Sequence, residues 1–90
     1  MVLHVRVVGR VQGVGFRWFV REVGRRQGLA GWVKNRADGS VEVAADGPAE
    51  AIAALRNALG SGPQGAHVDD VADLPDDQPH ALPRPFAILK

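Results

Sequence analysis

The sequence predicts an α+β sandwich in which two helices cover one face of an antiparallel sheet. Three observations predict it. Short stretches alternate apolar and other residues, as in Leu3, Val5, Val7 and again in Val41, Val43, Ala45. Two other stretches carry apolar residues at helical spacing: Phe16, Phe19, Val20, Val23 and Ile52, Leu55, Leu59. A period of two marks a half-buried strand, and steps of three and four mark a helix buried along one stripe. The order along the chain is strand, helix, strand, strand, helix, strand, then a short last strand. Two crossover units with right-handed connections give a split βαβ arrangement.

Residues 2–8 form the first strand, with Leu3, Val5 and Val7 on one side and His4 and Arg6 on the other. The run Gly9-Arg10-Val11-Gln12-Gly13-Val14-Gly15 then holds three glycines in seven residues, a tight turn into a helix. That helix spans 16–28 and keeps Arg17, Arg21, Glu22, Arg25 and Arg26 wet. Gly24 weakens its interior by about 1 kcal/mol, and Gly28 is a natural stop. Residues 29–35 form the second strand. Leu29, Gly31, Val33 and Asn35 share one face, and Trp32 and Lys34 share the other, where Trp32 is read as a packing or half-exposed residue rather than a binding aromatic. Asp38-Gly39 is a hairpin signal, and 40–45 return as the third strand. Gly47-Pro48 opens the second helix, since proline is tolerated in a first turn. Gly60-Ser61-Gly62-Pro63 closes it. A weaker fourth strand follows over 66–72, its alternation interrupted by Asp69 and Asp70. Asp73 to Pro85 reads as a loop with four prolines and three acids, and Phe86 to Leu89 as a short terminal strand.

Ninety residues make one domain, 1–90. No apolar run is long enough to span a membrane, and Met1-Val2-Leu3-His4 shows no signal-peptide pattern. The chain has no cysteine, which removes disulfide and thiolate chemistry and suits the cytoplasm. Net charge is +1, but it is lopsided. Residues 1–36 carry eight cations (Arg6, Arg10, Arg17, Arg21, Arg25, Arg26, Lys34, Arg36) against Glu22 alone, and residues 37–83 carry nine acids against Arg56. The glycine loop lies in the basic third, which suits an anionic small ligand or a nucleic acid.

In the predicted topology strands 1 and 2 run parallel with strand 3 between them. Their C-terminal ends share one edge of the sheet, about 10 Å apart. Strand 1 delivers the glycine loop there, and strand 2 delivers Asn35. A helix start leaves backbone N–H groups unpaired and carries partial positive charge, so the loop could cradle an anion. Arg17, in the first turn, could grip the same anion bidentately. On pattern alone an empty tight turn fits as well: the P-loop would need Lys where Gly15 stands, and the dinucleotide fingerprint would need glycine where Trp18 stands. The inventory of other catalysts is short. There is no Cys, Tyr or Thr, and neither Ser40 nor Ser61 suggests a triad. His4, His67 and His80 show no metal-ligand spacing, and Asp69-Asp70 and Asp76-Asp77 read as solvated acids. What remains is a set of amides, Arg17 and the Asn35 side chain, none of which titrates near neutrality. Such a set can bind an anion, stabilise spreading charge and hold a water. It can cleave only a substrate whose leaving group needs no proton. A carboxylic–phosphoric anhydride qualifies, because its carboxylate has a pKa of about 4.

The run Val7-Val8-Gly9-Arg10-Val11-Gln12-Gly13-Val14-Gly15-Phe16-Arg17 resembles the first signature of the acylphosphatases. Gly31-Trp32-Val33-Lys34-Asn35-Arg36-Ala37-Asp38-Gly39-Ser40-Val41 resembles the second, at the usual separation. The resemblance implies a ferredoxin-like sandwich that hydrolyses acyl phosphates to carboxylate and phosphate without a metal or cofactor. It implies that Arg17 binds the phosphate, that Asn35 orients the attacking water, and that the amides of Arg10, Val11, Gln12, Gly13, Val14 and Gly15 form the cradle. Gly15 stands where the family often has a bulkier residue, and the region after Gly65 matches less well. The expectation is a monomeric, cytoplasmic enzyme acting on a small-molecule acyl phosphate, inhibited by phosphate, with no nucleic-acid or membrane partner. Two other readings compete. The same signatures open larger hydrogenase-maturation proteins that handle carbamoyl phosphate; since the sequence stops at Lys90, a stand-alone enzyme is expected. An RNA-binding module of related topology would need stacking aromatics on its open sheet face, and strands 1 and 3 have none.

Overall fold

The computed structural model describes residues 1–75 and 82–90. Its elements are β1 (Val2–Arg10), α1 (Phe16–Arg26), β2 (Ala30–Asn35), β3 (Val41–Asp46), α2 (Ala49–Ser61), β4 (His67–Asp73) and β5 (Ala87–Ile88). The sheet order is β4-β1-β3-β2-β5. β3 lies antiparallel between β1 and β2, as the sequence predicts, and β4 pairs antiparallel to the other edge of β1. β5 lies parallel to β2, so the five-stranded sheet is mixed. The predicted antiparallel arrangement therefore describes four strands, and the two-residue β5 adds a parallel edge.

Both helices pack on one face. Leu3, Val5 and Val7 of β1, Val33 of β2, and Val41, Val43 and Ala45 of β3 meet Phe16, Val20 and Val23 of α1 and Ala51, Ile52, Leu55 and Leu59 of α2. These are the periodic positions, which is why alternation and helical spacing located the core. Phe86, just before β5, is fully buried in the same core. Its ring lies against α1 at Gly24 and against β2 at Gly31, where added Cβ atoms would collide with it.

Several boundaries differ from expectation for local reasons. β1 continues to Arg10 because β4 pairs with it across a bulge at Val8/Gly9. Gly9 has φ +136, and a Cβ there would strike the His67 carbonyl, so this crossing point requires glycine. α1 ends at Arg26, two residues early, because Gln27 and Gly28 turn out and Leu29 N–H donates to Gly24 O at 2.9 Å. α2 runs to Ser61, with Pro48 as its extended N-cap and Gly62 as its C-cap. Of the expected loop over 73–85, Asp73 belongs to β4, and Pro83 O accepts from Gly31 N–H at 2.9 Å. The readings of Asp76, Asp77 and His80 fall outside the described residues.

The face away from the helices carries a polar cluster. His4 Nε2 meets Glu42 Oε2 at 2.6 Å and His4 Nδ1 meets Pro75 O at 2.8 Å. Trp32 packs edge-on to His4 and under the Lys34 ammonium, and is only 6% exposed. The expected packing role of Trp32 therefore describes it. Among the described residues, no helix is long and apolar enough to cross a membrane.

Candidate active site

The register brings the two predicted halves of the site together. Val7 of β1 and Asn35 of β2 both stand opposite Val41 of β3. Residues directly opposite each other in a sheet share a face, so Asn35 lies on the helix-bearing face at the end of β2. β1 ends at the same edge and passes into the glycine loop. Val11 leads that loop, and its side chain is buried and ties it to the core.

Two glycines set the shape of the loop. Gly13 has φ +77 and Gly15 φ +76. A Cβ at either would meet nothing within 4 Å, so the backbone conformation, not space, favours glycine there. Gly15 is also the N-cap of α1, which has no capping side chain and no acid in its first turn. Among the described residues, no backbone hydrogen bond starts from an amide between Gln12 and Trp18; the first is Phe19 N–H to Gly15 O at 3.0 Å. The loop thus brings amides without a backbone partner among the described residues to the positive end of α1.

Beside it is a cavity of about 190 Å³, lined by Val11, Gly13, Gly15, Phe16, Arg17, Trp18, Asn35 and Ile88. Arg17 is its one charged lining residue, and it has neither an ion pair nor a hydrogen bond among the described residues. Asn35 Oδ1 is buried and has no hydrogen-bond partner among the described residues. Among the described residues, no Asp, Glu, His or Cys lines the cavity. Among the described residues, no three such side chains cluster in a way that could hold a metal ion.

Not every predicted site residue lines this cavity. Arg10 closes β1 opposite His67 and is exposed. Val14 packs against the core. Gln12 acts through its side chain: Nε2 donates to Arg36 O at 2.8 Å and to Ser40 O at 2.9 Å. These bonds tie the glycine loop to the β2–β3 hairpin directly after Asn35. The hairpin is braced in turn by Asp38, whose carboxylate accepts from Ser40 N–H and Ser40 Oγ–H. Those bonds, with the charges of Arg36 and Arg6, hold the Asp38 carboxyl below the usual range. The sequence reading missed Trp18 and Ile88 as lining residues. The visible signal was an aromatic residue on the otherwise wet side of α1, next to Arg17.

Comparisons with known proteins bear on the family and the fold. A family model described as acylphosphatase matches residues 3–88. An acylphosphatase of Koribacter versatilis is 50% identical over 82 residues, covering 91% of this chain and 74% of that protein. An acylphosphatase of Rhodospirillum rubrum is 45% identical over 86 residues, covering 92% and 94%. Among solved structures, acylphosphatase from Bacillus subtilis superposes with a TM-score of 0.88 at 40% identity over 100% of both chains. HypF of T. kodakarensis superposes at 0.81 and 33% identity over 99% of this chain, but this match spans 12% of HypF.

Proposed function

The chain belongs to the acylphosphatase family, and from that premise we propose how its residues hydrolyse an acyl phosphate to a carboxylate and inorganic phosphate. The convergence of Gly13, Gly15, Arg17 and Asn35 on one cavity, with no acid among its described lining residues, carries the reading. The phosphoryl oxygens lie in the loop, where its amides, the N-terminus of α1 and the Arg17 guanidinium neutralise them. Asn35 holds a water on the side of phosphorus opposite the leaving group. The water oxygen forms a bond to phosphorus as the bond to the bridging oxygen breaks. The electron pair leaves with the carboxylate, which is stable unprotonated at neutral pH. The proton of the water passes to a phosphate oxygen or to solvent. Catalysis here is positioning and charge stabilisation, which suits phosphoryl transfer. Among the described residues the donor set is amide and guanidinium, and the proposed step is written without a metal. Gln12 sets the spacing between the cradle and Asn35.

The reading also takes the enzyme to be a cytoplasmic monomer acting on small molecules. Its exposed large apolar side chains (Met1, Val2, Trp18, Leu89) are few among the described residues, and isolated ones are ordinary for a monomer. Trp32 is packed rather than offered for base stacking, which argues against RNA. The test of the site is Arg17→Ala. Loss of one donor to a developing anion costs about 3–4 kcal/mol, two to three decades in kcat. Phosphate should then inhibit more weakly. Near-normal turnover by Arg17→Ala would refute the assignment.

A further inference from the structure

A water is held in one place only if the Asn35 side chain has one aim, yet Asn35 Oδ1 has no hydrogen-bond partner among the described residues. The aim is therefore set by the backbone on either side. On one side, Lys34 and Asn35 are paired in the sheet, opposite Glu42 and Val41 of β3. On the other side comes Arg36, just beyond the end of β2. Arg36 is held at three points. Its N–H donates to Ser40 O at 2.8 Å, its carbonyl accepts from Gln12 Nε2 at 2.8 Å, and its guanidinium Nη1 donates to Glu42 Oε1 at 3.3 Å. Ser40 belongs to the same hairpin and Gln12 to the glycine loop. Glu42 belongs to β3, the central strand of the sheet. Glu42 is itself fixed. Its side chain is 13% exposed, its Oε2 meets His4 Nε2 at 2.6 Å, and Lys34 Nζ lies 3.9 Å from its Oε1. It stands directly between Arg6 of β1 and Lys34 of β2. A carboxylate this far from water is held by the cations that face it.

We infer that Glu42, on the face of the sheet away from the cavity, is a positioning residue for the hydrolysis: through the Arg36 guanidinium it fixes the peptide that follows Asn35, and so the aim of the Asn35 amide. This rests on the reading of Asn35 as the residue that holds the water. Glu42 is not among the residues that line the cavity, and the phosphate cradle does not depend on it. Its contribution therefore falls on kcat and leaves KM in place.

The test measures acetyl phosphate hydrolysis by the wild type, Glu42→Gln, Arg36→Met, the double variant and Lys34→Met. Glu42→Gln and Arg36→Met should each lower kcat about tenfold, with KM and inhibition by phosphate changed by less than about twofold. The double variant should be no slower than either single one, because both remove the same link. Lys34 faces the same carboxylate oxygen but does not hold Arg36, so Lys34→Met should keep kcat within about twofold of the wild type. Arg36→Met retains the main-chain bonds to Ser40 and Gln12, and it carries the same prediction if Glu42→Gln does not fold. An unchanged kcat, a loss that appears in KM, additive losses in the double variant, or an equal loss in Lys34→Met would overturn the inference. The side-chain amide NMR signals of Asn35 read the same link without chemistry. They should shift in Glu42→Gln and Arg36→Met and stay in place in Lys34→Met; unshifted signals in the first two would again overturn it. A wild type that does not hydrolyse acetyl phosphate would defeat the hydrolase reading, and the NMR comparison would still decide whether Glu42 positions Asn35.

Discussion

Gly24 shows how a single position is set by its neighbours rather than by local preference. Replacing a helix-interior glycine by alanine normally gains about 1 kcal/mol. Here the added methyl would enter the ring of Phe86, which is fully buried against Gly24 and Gly31. Overpacking of this kind costs about 1–3 kcal/mol. Gly24→Ala should therefore lower the urea midpoint, and a raised midpoint would show that the ring can move aside. Phe86→Ala should cost more, about 3–5 kcal/mol, because it leaves a cavity under α1. Arg17, Asn35, Gly13 and Gly15, which line one cavity, were legible as candidate site residues because each lies inside a contiguous motif. Phe86 as a core residue, the side-chain role of Gln12 and the lining role of Trp18 were not. Each depends on a contact made by the fold: Gln12 with Arg36 and Ser40, Phe86 with Gly24 and Gly31, Trp18 with the cavity it shares with Asn35.

At the scale of elements, the β2–β3 hairpin carries both Asn35 and the anchor points of the loop. Asp38 braces it through Ser40, and its carboxyl titrates below the ordinary value. A depressed native pKa means that the ionised form stabilises the fold. That contribution is complete above the unfolded Asp value and is lost as pH falls through the native one. Asp38→Ala should therefore flatten the acid limb of the stability–pH profile, with little change in the profile's shape near neutrality. An unchanged acid limb would remove Asp38 from this role. Element order, and most bounds to within one residue, were legible from periodicity, since each element buries one regular stripe. The ends were less so. β1 reaches Arg10 only because β4 pairs beyond the bulge at Gly9, and β5 is parallel because it joins the free edge of β2. Neither pairing leaves a local trace in the sequence.

For the whole molecule, the basic third of the sequence builds β1, α1 and β2, the three elements that converge on the cavity, while most acids lie beyond residue 37. Such a field draws in a dianion. Raising salt from about 0.01 to 0.15 M shortens the Debye length from about 30 to 8 Å, so kcat/KM should fall while kcat at saturation holds. Salt-independent kcat/KM would show that the charge asymmetry plays no part in encounter. The topology itself was legible, because two βαβ units and a hairpin leave few arrangements, and that topology places Asn35 beside the loop. The central claim is that this juxtaposition, without a metal, performs the hydrolysis. The most direct measurement is turnover of acetyl phosphate, in the presence of EDTA, by the wild type and by Asn35→Ala, with folding of both verified by circular dichroism. The account predicts rapid wild-type turnover that falls by about a hundredfold or more in the variant, as expected when a positioned water is lost. No turnover by the folded wild type, or equal turnover by both proteins, would contradict it.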